Sequence, residues 1–131
     1  GSTRAPQWTG GGMVFAPVPR DYSFKMNKKE KRAALKSALT SRVQANKLIV
    51  LDQLTMDAPK TKAMQNVLNS LNVNKALVVT KENDANVVLS ARNIPDVKTA
   101  LVNTINVYDV MKYNTVVLTK DAVAAIEEVY A

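Results

Sequence analysis

Apolar positions along this chain fall into two regimes. Up to Met26 they are scattered, with no period of 3.6 or 2 that lasts. From Asn27 onward they gather into short runs that alternate between the two periods. Asn27-Lys28-Lys29-Glu30 has the form of a capping box, in which Asn27 accepts from the backbone and Glu30 reaches back. The helix it opens should run to about Val43, with Leu35, Leu39 and Val43 recurring every fourth residue as its buried side. Lys28, Arg32 and Lys36 lie on nearly the same side one to two turns earlier. One stripe therefore changes from basic to apolar, as expected of a helix that docks its second half and projects its first.

Leu48-Ile49-Val50-Leu51 is a continuous apolar run, the pattern of a strand buried on both faces. A helix is expected after Pro59, where Met64, Val67, Leu68 and Leu71 follow i, i+3, i+4, i+7. Ala76 to Val79 reads as a second strand, and Asn86 to Ala91 as a helical turn or two that stops before Pro95. Val97 to Val102 is a weaker third strand, Val107 to Met111 a short helix, and Val116 to Leu118 the last strand. Thr119 or Asp121 should cap a final helix through Val123, Ile126 and Val129. Such alternation implies an α/β fold: a three-layer α/β/α sandwich on a mostly parallel four-stranded sheet with right-handed crossovers. The division expected is a long extended arm over residues 1–26 and one globular α/β domain over residues 27–131.

Composition sharpens this division. All four glycines lie within the first twelve residues and three of the five prolines within the first nineteen, so regular structure is broken there. Trp8, Phe15, Tyr22 and Phe24 have few apolar neighbours in the same stretch. A segment so poor in packing partners should order only on a ligand. It also begins without an initiator Met, as a fragment or a processed chain would. Net charge is +7 over 131 residues. Residues 1–47 hold ten Lys/Arg against two acids, a net of +8, whereas residues 48–131 hold eight against nine, a net of −1. Segregation of this kind points to a polyanion partner touching the first third, since solubility alone needs none.

The chain has no Cys and no His, which removes disulfides, thiolate metal sites, the cysteine nucleophile and the commonest general base. No apolar run approaches a membrane span. Gly10-Gly11-Gly12 does not follow a strand, and neither dinucleotide nor P-loop spacing is present. The triplet allows two readings: close approach of backbone to something bulky such as RNA, or simple flexibility. Asp52 and Lys81 follow the first two strands, where α/β folds place ligands, so a phosphate-binding enzyme or regulatory domain centred on them is the alternative function. A helix cap and a surface charge explain the same two residues more simply.

The positive signal is a run of cations interleaved with aromatics: Arg4, Trp8, Phe15, Arg20, Tyr22, Phe24, Lys25, Lys28, Lys29, Lys31, Arg32 and Lys36. Cations pair with phosphates, and rings take unstacked bases or sugars. Physical reasoning reaches an RNA-binding arm on an α/β domain, with no catalytic residue, no metal and no cofactor.

Residues 2–37, from Ser-Thr-Arg-Ala-Pro-Gln-Trp-Thr-Gly-Gly-Gly through Pro-Val-Pro-Arg-Asp-Tyr to Lys-Lys-Glu-Lys-Arg-Ala-Ala-Leu-Lys-Ser, closely resemble the bacterial ribosomal protein L-four family. That family's pattern is roughly S-P-Q-W-R-G-G-G-x-x-F-G-P-x-P-R-x-Y followed by a K-K-x-x-R-x-A-L-x-S helix. Ala58-Pro-Lys-Thr-Lys62, Leu89 to Pro95 and Thr119 to Val123 look like further family motifs, so the resemblance covers the whole chain. Thr9 stands where members often carry Arg, Ala16 where Gly is common, and Val18 where a cation is frequent. The resemblance implies a structural, non-enzymatic constituent of the large ribosomal subunit, cytoplasmic and ribosome-bound. It implies ribosomal RNA and neighbouring ribosomal proteins as partners, with no small-molecule substrate. Members carry a further N-terminal part that completes the domain and supplies the outgoing arm of a long loop reaching the peptide exit tunnel. Gly1 falls just after the tip, which makes residues 1–26 the return half. RNA contacts are expected from Arg4, Gln7, Trp8, Gly10, Gly11, Gly12, Phe15, Arg20, Tyr22, Lys25, Lys28, Lys29, Lys31, Arg32 and Lys36.

Overall fold

The computed structural model describes residues 1–130. After a 27-residue segment without helix or strand, the elements run α1 (Lys28–Gln44), β1 (Leu48–Leu51), α2 (Thr61–Ser70), β2 (Ala76–Thr80), α3 (Ala85–Ala91), β3 (Val97–Leu101), a 3-10 turn (Val102–Thr104), α4 (Val107–Lys112), β4 (Thr115–Thr119) and α5 (Lys120–Tyr130). The four strands form one sheet in the order β1-β4-β2-β3, and every pairing is parallel. One face carries Leu77, Val79, Val116 and Leu118 against Leu35 and Ala38 of α1, Val110 of α4 and Ala122 of α5. The other carries Ala76, Val78 and Val117 against Met64 and Leu68 of α2 and Val87 and Ala91 of α3. Helices on both faces make the three layers that the alternating pattern implied.

Depth in the sheet explains the strand compositions. β2 is central, and its first four residues are buried. β1 is an edge strand, so its apolar run is not buried on both faces as expected; Val50 is half exposed. β3, the other edge, is also only partly buried, and it ends at Leu101, one residue earlier than its pattern indicated.

Helix ends follow from local chemistry. The Asn27 backbone N–H donates to Glu30 Oε2 at 3.2 Å, the reach-back arm of the capping box. α1 and α2 each end on an asparagine at positive φ, Asn46 and Asn72, both at 56°. In each the two amides beyond the helix turn back on its last carbonyls: Asn46 to Val43 and Lys47 to Arg42, Asn72 to Asn69 and Val73 to Leu68. Asparagine tolerates this left-handed conformation better than other non-glycine residues, and that stops both helices without glycine. Thr119 rather than Asp121 caps α5, its Oγ1 accepting from the Ala122 amide at 3.2 Å. Buried Ser90 accepts from the Lys60 amide and donates to the Asn86 carbonyl, and Asn86 Nδ2 donates to the Met56 carbonyl. The β1–α2 loop is thereby pinned to α3.

Two helical stripes differ from their expected course. On α1 the buried side is Leu35, Ala38 and Leu39, and Val43 is exposed. The next position on that face is Arg42. Its Nε donates to the Val110 carbonyl at 3.0 Å and its Nη2 to the Met111 carbonyl at 2.8 Å. A guanidinium there satisfies carbonyls in the last turn of α4 and meets the negative end of that helix dipole. On α5, Val129 is exposed, and Tyr130 turns inward to donate its hydroxyl to the Val102 carbonyl at 3.0 Å.

Asp109 is the one buried carboxylate among the described residues; Lys98 Nζ at 2.7 Å and Asn106 Nδ2 at 3.1 Å both donate to its Oδ2. The hydrogen bond to Asp109 holds the Lys98 ammonium above its ordinary pKa. A raised folded value gives a contribution that is complete below about pH 10.5 and is lost as pH rises from there through the higher folded value. Lys98→Met should cost roughly 1 kcal/mol at neutral pH, because the buried Asp109 carboxylate loses a donor while Asn106 remains and water screens the half-exposed ammonium. Urea unfolding at pH 7 and pH 11 checks this: the gap between parent and variant should narrow at the higher pH, and equal stabilities at pH 7 would refute it.

Candidate nucleic-acid interface

The candidate surface spans residues 1–36. Arg4, Gln7, Trp8, Phe15, Arg20, Tyr22, Lys25, Lys28, Lys29, Lys31, Arg32 and Lys36 are all exposed. Trp8, Tyr22 and Phe15 show 59%, 75% and 94% of their surface to solvent, so none of these rings enters the domain core. α1 packs on the sheet only from Leu35 onward, which leaves Lys28, Lys29, Lys31 and Arg32 on two turns held clear of the core. These cations sit at the positive end of the helix dipole, an unfavourable place for them in isolation.

The segment before α1 is not uniformly extended. Residues 2–12 close on themselves through successive backbone bonds: Trp8 N–H to the Ala5 carbonyl at 3.0 Å, Gly11 N–H to the Trp8 carbonyl at 2.9 Å, and Gly12 N–H to the Arg4 carbonyl at 2.9 Å. Gly10 takes φ +75°. A Cβ built on Gly11 would lie 2.0 Å from the Ala5 carbonyl oxygen. At Gly10 and Gly11 the glycine requirement thus comes from the loop's own backbone, a reading that composition had not offered. Gly12 has ordinary room for a Cβ, with Arg4 O at 3.7 Å. Beyond the loop, the Arg20 guanidinium lies 4.3 Å from the Tyr22 ring centroid, a cation–π pair that presents both groups together. Asp21 accepts from the Ser23 amide at 2.8 Å. The Ser23 hydroxyl and then that amide hold the Asp21 carboxyl below its ordinary pKa.

Sequence reasoning missed two features of this region. One is Arg42, the cation of the basic third that is engaged inside the protein. The other is an apolar groove of about 480 Å³ where the arm meets the domain, lined among others by Met26, Lys31, Leu35, Ile105, Val107 and Tyr130. Its walls come from three separated stretches of chain, so no local pattern announces it.

Asp52 and Lys81 do come together at the carboxyl ends of the strands, in an open cleft of about 550 Å³. Glu82, Asp84 and Asp121 line the same cleft. Four carboxylates against one ammonium repel a phosphate, and Asp84 is occupied in capping α3 through the Asn86 amide. Among the described residues no group of three or more Asp or Glu is placed to hold a metal ion, and no helix is long and apolar enough to cross a membrane.

The sequence profile described as "Ribosomal protein L4/L1 family" matches residues 1–129. Proteins named "Large ribosomal subunit protein uL4" from Lachnoclostridium phytofermentans, Agathobacter rectalis and Lachnospira eligens are 70%, 68% and 63% identical over 131 residues. Each alignment covers 100% of this chain and 64% of the relative's length.

Proposed function

Because this chain belongs to the ribosomal protein L4/L1 family, we propose that it is a non-catalytic structural constituent of the large ribosomal subunit. Residues 1–26 and the first half of α1 bind and organise folded ribosomal RNA near the peptide exit tunnel, and so support subunit assembly. The observation that carries this reading is the segregation of charge onto surface that the fold does not use. Exposed cations crowd a segment contributing nothing to the core before Leu35, while residues 48–131 net −1. Phosphates turn that unfavourable crowding into a favourable one.

Rings exposed beside the cations offer stacking surfaces to unpaired bases and sugars, which is how RNA is commonly held. Neighbouring ribosomal proteins are the expected cover for apolar surface that RNA does not take. The protein then resides in the cytoplasm, bound to the ribosome, and needs no cofactor or small-molecule substrate.

Filter binding to large-subunit ribosomal RNA across a salt series tests the proposal. About six to ten phosphate contacts would give a slope of log K against log salt of very roughly −5 to −8. A chain lacking residues 1–26 should keep its helical and strand circular dichroism. It should lose most of the affinity and show a flatter slope, set by the cations of α1. Equal affinity and equal slope in the shortened chain would remove residues 1–26 from the binding element.

A further inference from the structure

Residues 2–12 present a feature that charge alone does not require. The loop is closed four times by its own backbone, at Ala5, Trp8, Gly11 and Gly12, and is filled at Gly11 by the Ala5 carbonyl. Arg4 N–H also donates to Ser2 Oγ at 3.1 Å. A phosphate-binding tether needs no such closure, because flexible cations pair with phosphates in many geometries. Closure instead fixes the one residue between its hinges that has a large flat side chain. Trp8 both donates to Ala5 and accepts from Gly11, so its backbone is held on both sides while 59% of the residue stays exposed. Beside it opens a pocket of about 550 Å³ lined by Gly1, Ser2, Thr3, Trp8 and Thr9.

We propose that this loop is a preformed receptor for one unstacked RNA nucleobase, stacked on the Trp8 indole, and that Gly10 and Gly11 serve to build the receptor rather than to touch RNA. The proposal rests on the RNA-binding reading above and goes beyond it by assigning a base site. Its occupant follows from charge and shape. Arg4, Arg20 and Lys25 against the single acid Asp21 make the surrounding segment attractive to a polyanion. An exposed indole beside a pocket offers a stacking face, and every base has a π-face to match. Closing the loop before binding removes ordering entropy that a flexible loop would lose at the moment of association.

Trp8 is the only tryptophan in the chain, so its fluorescence reports this site directly. The full 131-residue chain should be titrated with a uridine oligoribonucleotide, with an abasic ribose-phosphate oligomer of equal charge, and with large-subunit ribosomal RNA. Uridine oligomer and ribosomal RNA should quench Trp8 severalfold, and the abasic oligomer should leave it bright. Trp8→Ala should weaken ribosomal RNA binding by roughly 5- to 150-fold, the range of one base–aromatic stack. Gly11→Ala should lose the quenching while keeping a steep salt slope, because its cations remain. Gly12→Ala, which has room for its Cβ, should behave as the parent. Hydrogen exchange on the free chain should show the Gly11 and Gly12 amides slower than the Gly10 amide.

Ribosomal RNA binding with undisturbed Trp8 fluorescence, or equal quenching by the abasic oligomer, would overturn the base receptor and leave the broader reading standing. No binding of ribosomal RNA by the parent chain would overturn both. Quenching retained in Gly11→Ala would show that the loop is not the receptor's frame.

Discussion

Replacing Lys28, Lys29, Lys31 and Arg32 together with glutamine should weaken binding to large-subunit ribosomal RNA by roughly 200- to 900-fold at about 0.15 M salt. The figure follows from counterion release: each phosphate neutralised contributes about 0.7 to 0.9 to the salt slope, a factor of roughly four to six at that salt. Four lost contacts multiply those factors and flatten the slope by about 3 units. The same substitution should not destabilise the domain. These side chains occupy the first two turns of α1, stay exposed, and make no ion pair with Glu30 or any other acid among the described residues. Removing cations from the positive end of a helix dipole relieves about 0.3–1 kcal/mol for each one in the first turn at low ionic strength. Melting temperature should therefore hold or rise by a few degrees. A clear fall in Tm would show that the lysines support the fold, and unchanged affinity would show that this end of α1 does not face RNA.

The largest effect on stability is expected in the middle of the sheet. Leu77 is fully buried on β2, with Lys98 of β3 and Val116 of β4 beside it in register. Its side chain belongs to the same cluster as Leu35 and Ala38, on which α1 is seated. Leu77→Ala should cost about 2–5 kcal/mol, the transfer of the lost methyl groups plus the cavity left behind. Domains of this size have about 5–15 kcal/mol in all, so the variant should unfold at much lower urea. An effect below about 1 kcal/mol would mean that the layers can close over the gap. Where the variant is still folded, its salt slope on RNA should match the parent's, since no cation has moved.

The periodicity of the chain was legible because most of its elements bury ordinary aliphatic side chains. Met64 and Leu68, Ala76 to Val79, and Val116 to Leu118 lie where their spacing places them. What escaped reading has identifiable causes. Arg42 looks like surface in any binary pattern, yet it occupies the next position of the buried side of α1 because the carbonyls of α4 end there. Val43 and Val129 look like core, yet the inward positions beside them are taken by Arg42 and Tyr130, which leaves both valines facing out. The burial of β1 was overstated because an apolar run does not reveal whether its strand lies at an edge. In the arm, chemistry was read from side chains, whereas the loop at residues 2–12 is specified by backbone contacts between Arg4 and Gly12 and between Ala5 and Gly11. Glycine marks such contacts only by the absence of an atom. The cations and rings were visible in composition; the closed frame that holds Trp8 was not.

The strand order β1-β4-β2-β3 has a consequence for synthesis. The strand that joins β1 to the rest of the sheet is the last one made, and Leu48 waits for Val116, about 68 residues later in the chain. At about 5–20 residues per second, β1 and the α1 face above it stay without their seat for several seconds after emerging. Until then β2 and β3 can pair, but β1 lacks β4, its one neighbour among the described strands. The basic tract, by contrast, is complete as soon as Lys36 has emerged and needs no sheet to carry its charge. A growing chain therefore displays this polycation before its four-stranded sheet can close, so on the proposed reading encounter with RNA can precede closure rather than wait for it. Chains arrested before Thr115 should bind RNA yet leave the edge beside β2 open, whereas release of the last strand should close the sheet in a single cooperative step.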